Sequence, residues 1–237
     1  MRVQVSLVTG VLVVAVLAAI GLRLGPFAPA PAPDYFSAAF VKGAEFEFDP
    51  PAPGSYGLPA IKSAPDGEVL DIHGETRSLA EITEGKISLV SFVYLMCGDV
   101  NGCPLAISTL YNIYDGSLNV PELRGEVQLL TVSFDPARDT VEAIEAFHYP
   151  VTSDPDAERK IEWDVLTTSG PEALQPILDG YGQTIDLSNN QELISHLLRI
   201  YLVDRKGVIR NVYGLGLIDP RLLMTDVETL MMEEGRR

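Results

Sequence analysis

The pattern of apolar and polar positions divides the chain into an apolar start, a proline-rich segment and a longer mixed region. Val3–Leu22 contains no charged residue and only scattered small polar ones. A helix of about twenty residues rises roughly 30 Å, the thickness of the hydrocarbon core of a bilayer. The next segment is rich in proline and alanine, which favours extended chain. We therefore predict a membrane anchor over residues 1–24, a spacer over 25–53 and a folded domain over 54–237.

A cleaved signal peptide is the alternative for the apolar start. The stretch is long for the apolar part of a signal peptide, and the alternating alanines and prolines of residues 28–33 disfavour processing. Either arrangement exports the domain. We expect a membrane-anchored protein whose domain lies in the periplasm or another extracytoplasmic space.

Within the mixed region, two continuous apolar runs are typical of strands buried on both faces: Ser88–Tyr94 and Glu126–Phe134. Turn and capping patterns predict the other elements. These are a short strand at Val69–Ile72, a helical turn at Leu79–Ile82, a helix from Pro104 to about Tyr114, helices opening at Asp139–Glu142 and Ser169–Glu172, a hairpin of Leu198–Val203 and Val208–Tyr213, and an amphipathic helix from Asp219. This order predicts an α/β, thioredoxin-like fold in which helices flank a central mixed sheet.

Charge narrows the range of functions. The formal net charge is −16, from 33 acidic and 17 basic residues, and lysine and arginine form no cluster. Such an anion repels phosphate backbones, which disfavours nucleic-acid binding, and we expect no nucleic-acid partner. The composition, 46% hydrophobic and 21% charged, is ordinary for one globular domain.

The only two cysteines, Cys97 and Cys103, lie between the first buried strand and a predicted helix. Sites in open α/β sheets gather at the carboxyl ends of strands, and a helix N-terminus favours thiolate over thiol. Turn-forming residues separate the cysteines, so the segment can fold back and bring the sulfurs together. The pair indicates a redox couple, a soft-metal site or a structural disulfide.

His196, two residues before the predicted hairpin, is a candidate third ligand. Two thiolates suit Cu(I), and an added imidazole suits Cu(II). An isolated histidine is nevertheless more often structural. His73 and His148 have no motif around them, and we expect both at the surface or in turns.

Three segments in the same order resemble the Sco/SenC family of copper-binding, thioredoxin-like assembly factors for cytochrome oxidase. They are Ser91–Tyr94 with the cysteines and Pro104, the S-x-D-P-x-R-D-T stretch of Ser133–Thr140, and the H-x4-Y-L-x-D segment of His196–Asp204. The resemblance implies that Cys97, Cys103 and His196 bind copper, as Cu(I) or Cu(II), for delivery to a cuproprotein such as an oxidase subunit. The chain departs from the family at one point, because its cysteines follow a C-x5-C-P pattern where the family has C-x3-C-P.

Other functions stay open beside copper delivery. In a thiol–disulfide oxidoreductase, Cys97 and Cys103 form a redox pair that closes as a disulfide and keeps the cysteines of a partner reduced for metal loading. This role needs only two sulfurs that can meet, so the longer spacing affects it less. A non-catalytic binding module with a structural disulfide is a further alternative. A peroxiredoxin-type peroxidase is disfavoured, because Tyr94 and Val100 stand three residues before the cysteines, where that class has threonine or serine.

Four polar residues near the cysteines are candidates for supporting roles. We expect Asp135 and Arg138 to form an ion pair or cap that holds a turn. Tyr94 and Asp99 are candidates for polar neighbours of the metal ligands.

Overall fold

In the computed structural model, the folded unit begins at Tyr35. The described residues are 34–43, 46–97, 102–183, 185–186 and 195–235, with backbone alone for 185–186 and 195–196. Across these ranges, no helix is both long and apolar enough to cross a membrane. The predicted anchor lies outside them.

Ten strands and five α-helices occur in the described part of the chain. The strands are β1 Lys62–Ser63, β2 Glu68–Leu70, β3 Thr76–Ser78, β4 Ile87–Val93, β5 Val127–Ser133, β6 Glu162–Leu166, β7 Ile185–Asp186, β8 Ser195–His196, β9 Arg199–Val203 and β10 Val208–Gly214. The helices are α1 Leu79–Thr83, α2 Cys103–Ser117, α3 Val141–Thr152, α4 Pro171–Tyr181 and α5 Pro220–Glu233. Short 3₁₀ turns occur at Phe36–Ala39, Pro121–Leu123 and Ala157–Arg159.

Six strands form one mixed sheet in the order β1-β10-β9-β4-β5-β6. Strands β4, β5 and β6 run parallel, whereas β9 pairs antiparallel with both β4 and β10. Every residue of β4 and β5 is buried. This explains their continuous apolar sequences, because both faces of a central strand are covered. The predicted thioredoxin-like α/β architecture is confirmed.

Helices cover both faces of the sheet and create two apolar cores. Leu89 of β4 packs in the first core with α2, α3 and α5. The next residue, Val90, packs in the second core with α1 and α4. Adjacent residues of a strand point to opposite faces, so β4 contributes to both cores.

The C-terminal helix α5 is buried around most of its circumference. Residues 223–231 are all buried, including Asp226 and Glu228. The Glu228 carboxylate accepts hydrogen bonds from the backbone N–H groups of Phe36 at 3.2 Å and Ser37 at 3.0 Å. Tyr213 of β10 donates from its hydroxyl to Asp226 at 2.6 Å. The prediction of an amphipathic helix is wrong in one respect, because the acidic side is covered by protein.

The N-terminal segment that covers α5 falls within the predicted spacer. Phe36, Phe40 and Phe46 are buried, so these residues belong to the folded unit. The folded unit therefore extends well before Gly54, where the domain was predicted to begin.

Helix α3 corrects the prediction for His148. This side chain is 6% exposed, and neither ring nitrogen makes a well-formed hydrogen bond with the described residues. Burial lowers the pKa of His148, although nearby Asp164 and the Trp163 backbone offset part of the shift. His73 lies exposed in a turn, as predicted.

Candidate metal and redox site

The two cysteines are placed by the end of one strand and the start of one helix. After β4, a turn runs from Tyr94 to Cys97, closed by the Cys97 N–H donating to the Tyr94 carbonyl at 3.3 Å. Cys103 is the first residue of α2, and Pro104 follows in the first turn, where its missing N–H has no helical partner to lose. The predicted location at the carboxyl end of a buried strand is confirmed.

Both cysteines line one pocket of about 220 Å³ at this edge of the sheet. The other lining residues are Val93, Tyr94, Leu95, Pro104, Ile107 and Phe147. Cys103 is 2% exposed, whereas Cys97 is half-buried. Both are thiols and are not joined by a disulfide. The fold therefore brings the two predicted sulfurs to one cavity and leaves one of them accessible.

Burial decides the protonation state of Cys103. Loss of water raises the pKa of this thiol to about 12, and the nearby Cys97 sulfur adds to the rise. The position at a helix N-terminus favours the thiolate, but burial has the larger effect. Cys103 is thus a neutral thiol at pH 7, and Cys97 is the sulfur that an incoming partner meets first.

Tyr94 lies beside the sulfurs, as the sequence suggested. Burial, followed by the neighbouring Cys97, raises the pKa of its hydroxyl to about 12. Its ring packs 5.2 Å from the ring of Phe134, and the Arg138 guanidinium lies 6.0 Å from the ring centre. Arg138 also pairs with Asp135, so the predicted ion pair is confirmed. Asp99 lies outside the described residues.

Asp139, which lies shortly after the end of the neighbouring strand β5, holds the turn from Tyr94 to Cys97, called here the cysteine turn. The sequence did not reveal this role. Its Oδ2 atom accepts hydrogen bonds from the Leu95 N–H at 3.1 Å and from the Ser133 hydroxyl at 2.6 Å. Its carbonyl accepts a bond from the Thr167 hydroxyl at 2.9 Å. Burial raises the pKa of this carboxyl, while the two hydrogen bonds oppose the rise. In the sequence, the position of Asp139 two residues before a predicted helix suggested only a helix cap. The residue that caps α3 is Thr140.

The backbone of His196 lies in β8, paired with Ile185. Its side chain lies outside the described residues. Strand β9 begins three residues later, and Ile200 of β9 is opposite Ser91 near the carboxyl end of β4. The chain at His196 thus approaches the sheet edge that carries the cysteines. Among the described side chains, no group of three histidine, cysteine or acidic residues is arranged to hold a metal ion.

The region that contains the cysteine pocket matches a known protein family. The family model described as SCO1/SenC matches residues 64–232, which includes the two cysteines, the Ser133–Thr140 loop and His196. The chain belongs to the SCO1/SenC family. A search among curated proteins finds no match.

Solved structures of other family members share the fold. The SCO1/SenC family lipoprotein of Bacillus anthracis str. Ames has a TM-score of 0.59 at 18% identity, over 72% of this chain and 95% of that one. Arabidopsis thaliana ScoI, solved with copper bound, has a TM-score of 0.56 at 20% identity, over 72% and 98%. BsSco, described as having a disulfide switch and as a member of a family of cytochrome c oxidase assembly proteins, has a TM-score of 0.55 at 18% identity, over 74% and 99%.

Proposed function

We propose that this chain binds copper through Cys97, Cys103 and His196 and delivers it to, or helps to assemble, a cuproprotein such as cytochrome c oxidase. The observation that carries the proposal is the convergence of two thiols on one pocket at the carboxyl end of β4. Membership of the SCO1/SenC family supports the choice of metal and of recipient.

The residues present fit a soft metal ion that must be received and passed on. Thiolate sulfur is a ligand that Cu(I) prefers, and an imidazole extends the site to Cu(II). One sulfur is buried and the other is half-exposed, so a partner can reach the bound ion from one side. The ion would be cargo, held by protein ligands that a recipient can replace one at a time.

The proposal includes a location. An apolar segment at Val3–Leu22 would tether the domain to a membrane and hold it in the periplasm or another extracytoplasmic space. A membrane-embedded oxidase would then be within reach.

The test is an anaerobic copper titration of the reduced full-length chain, with a competing chelator for Cu(I) and for Cu(II). We expect one tightly bound equivalent of Cu(I), lost in Cys97→Ser and in Cys103→Ser. His196→Ala should weaken Cu(II) binding and leave Cu(I) bound. His73→Ala is the matched control, because His73 is exposed in a turn and does not line the cysteine pocket. Failure of the reduced wild type to retain copper would overturn the proposal.

A thiol–disulfide oxidoreductase is the second candidate. It is favoured by the position of both thiols in one pocket, where they can close as a disulfide. Equilibration with glutathione buffers would give the reduction potential of the pair. A wild type that binds no copper but reduces a disulfide in a partner peptide, with Cys97→Ser inactive, would support this candidate. His196→Ala would leave that exchange largely intact.

A further inference from the structure

Gln183 lies just after the end of helix α4 and is almost completely buried, at 3% exposure. Gly182 ends the helix in the left-handed conformation, with φ at +67°, which glycine adopts without strain. The N–H of Gln183 then donates to the Leu178 carbonyl at 2.8 Å. Leu178 packs in the second core. The backbone of Gln183 is therefore fixed to a packed helix.

The side-chain amide of Gln183 connects α4 to the chain beside His196. Its Nε2 atom donates to the Leu197 carbonyl at 2.5 Å, and its Oε1 atom lies 3.1 Å from the Tyr201 hydroxyl. That hydroxyl also lies 3.0 Å from the Tyr181 carbonyl, so its single hydrogen is shared between two acceptors. A carbonyl has no hydrogen to donate, so only the amide nitrogen can face Leu197. The orientation of the Gln183 amide is thereby set.

The backbone at His196 is held from two sides. Consecutive Cα atoms are about 3.8 Å apart, so a shift of Leu197 is passed directly to His196. On the other side, His196 pairs with Ile185 of β7. Arg199 adds a second connection to the end of α4, because its guanidinium donates to the Gly182 carbonyl at 2.7 Å. The end of α4 therefore determines where the chain carries His196.

A histidine can join a metal site only if its backbone is placed correctly relative to the other ligands. Supporting residues have to hold metal ligands to within about 0.5 Å of their working positions. The cysteine sulfurs are fixed by the end of β4 and the start of α2. His196 is carried by a different part of the chain, so its placement needs support of its own. Gln183 is not among the residues that line the cysteine pocket, so it can act only through the backbone.

We propose that Gln183 is a positioning residue for His196: its amide fixes the backbone beside His196 and so places the imidazole for the ion that the cysteines hold. This inference rests on the proposed copper-binding function. It gives a buried polar side chain, outside the pocket, a part in copper binding.

Gln128 provides a matched control for the loss of a buried amide. It is 2% exposed, and its Nε2 atom donates to the Ile82 carbonyl at 2.7 Å and to the Ser88 hydroxyl at 2.8 Å. Ser88 lies near the amino end of β4, whereas the cysteines follow the carboxyl end. Gln128→Met should therefore reduce stability without any effect on copper.

The test measures Cu(II) affinity of the full-length chain by chelator competition, and the copper hyperfine splitting by electron paramagnetic resonance. Gln183→Met keeps the length of the side chain and loses both hydrogen bonds. We expect it to lower Cu(II) affinity about tenfold and to change the hyperfine splitting, whereas Gln128→Met keeps the wild-type values. Tyr201→Phe keeps the packed ring and removes the hydroxyl that faces Gln183. It should give a smaller change in the same direction, and it supplies the test if Gln183→Met does not fold.

A double-mutant cycle separates positioning from general loosening of the fold. Because Gln183 acts through His196, Gln183→Met should lower Cu(II) affinity no further in the His196→Ala protein. Equal losses of affinity with and without His196 would overturn the role of Gln183. Wild-type Cu(II) affinity and hyperfine splitting in the Gln183 and Tyr201 variants would also overturn it and leave the copper function standing. Absence of any copper binding by the wild type would overturn both.

Discussion

Replacement of Asp139 tests whether the neighbouring strand end holds the cysteine turn. The Oδ2 atom of Asp139 is the point at which the Leu95 N–H and the Ser133 hydroxyl converge, and the residue is 2% exposed. Asp139→Ala removes this acceptor. Asp139→Asn keeps an oxygen that can take the same position, but without the charge.

The loss of unfolding free energy expected on replacing Asp139 follows from two opposing effects. A hydrogen bond to a charged group contributes about 1.5–3 kcal/mol, so the pair together contributes about 3–6 kcal/mol. Burial of the charge, which raises the pKa of Asp139, offsets part of this. We expect Asp139→Ala to lower the free energy of unfolding by about 2–4 kcal/mol, and Asp139→Asn by less than about 1.5 kcal/mol.

The assay is urea unfolding followed by the fluorescence of Trp163, the only tryptophan, which is buried in β6. A loosened turn should also speed the reaction of Cys97 with a thiol reagent under native conditions. Equal stability of the alanine and asparagine variants would show that the acceptor at this point does not hold the turn. An unchanged labelling rate in Asp139→Ala would refute the connection to the site.

Two further predictions concern buried polar groups away from the cysteines. The pKa of His148 is lowered in the folded state, so the unfolded chain binds the proton at a higher pH than the folded one does. The free energy of unfolding should therefore fall below pH ~6.5, by up to about 1.4 kcal/mol per pH unit. His148→Leu should remove this pH dependence. Parallel pH profiles of urea midpoints for the two proteins would contradict it. Glu228→Gln leaves one of the Phe36 and Ser37 N–H groups without its carboxylate oxygen, at a cost of about 1–3 kcal/mol. Hydrogen exchange at these two amides should accelerate, and unchanged protection there would count against the role of Glu228.

The central strands were predictable because their sequences reflect burial on both faces. The predicted Ser88–Tyr94 and Glu126–Phe134 correspond to β4 and β5 within a residue at each end. Strand β6 was missed because it lies at the edge of the sheet, where Glu162 and Asp164 alternate with Trp163 and Val165 in a run of only five residues. A short alternating run is also compatible with loop.

The position of the cysteines was predictable, but their protonation was not. A strand before Cys97 and a helix at Cys103 are local features, and the sequence shows both. The raised pKa of Cys103 depends on burial by residues distant in the chain, such as Phe147 of α3. The role of Asp139 is non-local in the same way. The proline- and alanine-rich composition of residues 25–53 predicted a spacer. Three phenylalanines of this segment are buried nevertheless, because they pack against parts of the chain that are distant in sequence.

The contact between the N-terminal segment and α5 sets the order in which the chain can complete its fold during synthesis. Phe36 and its hydrogen-bonding partner Glu228 are separated by 192 residues. The ribosome therefore releases almost the whole domain before the surface that receives Phe36 exists. Until then the early phenylalanines lack the surface that α5 provides, and the incomplete chain can aggregate through them. The contact of Phe36 with Glu228 cannot form before α5 is made, so a chain that stops short of α5 should expose its N-terminal segment to proteases.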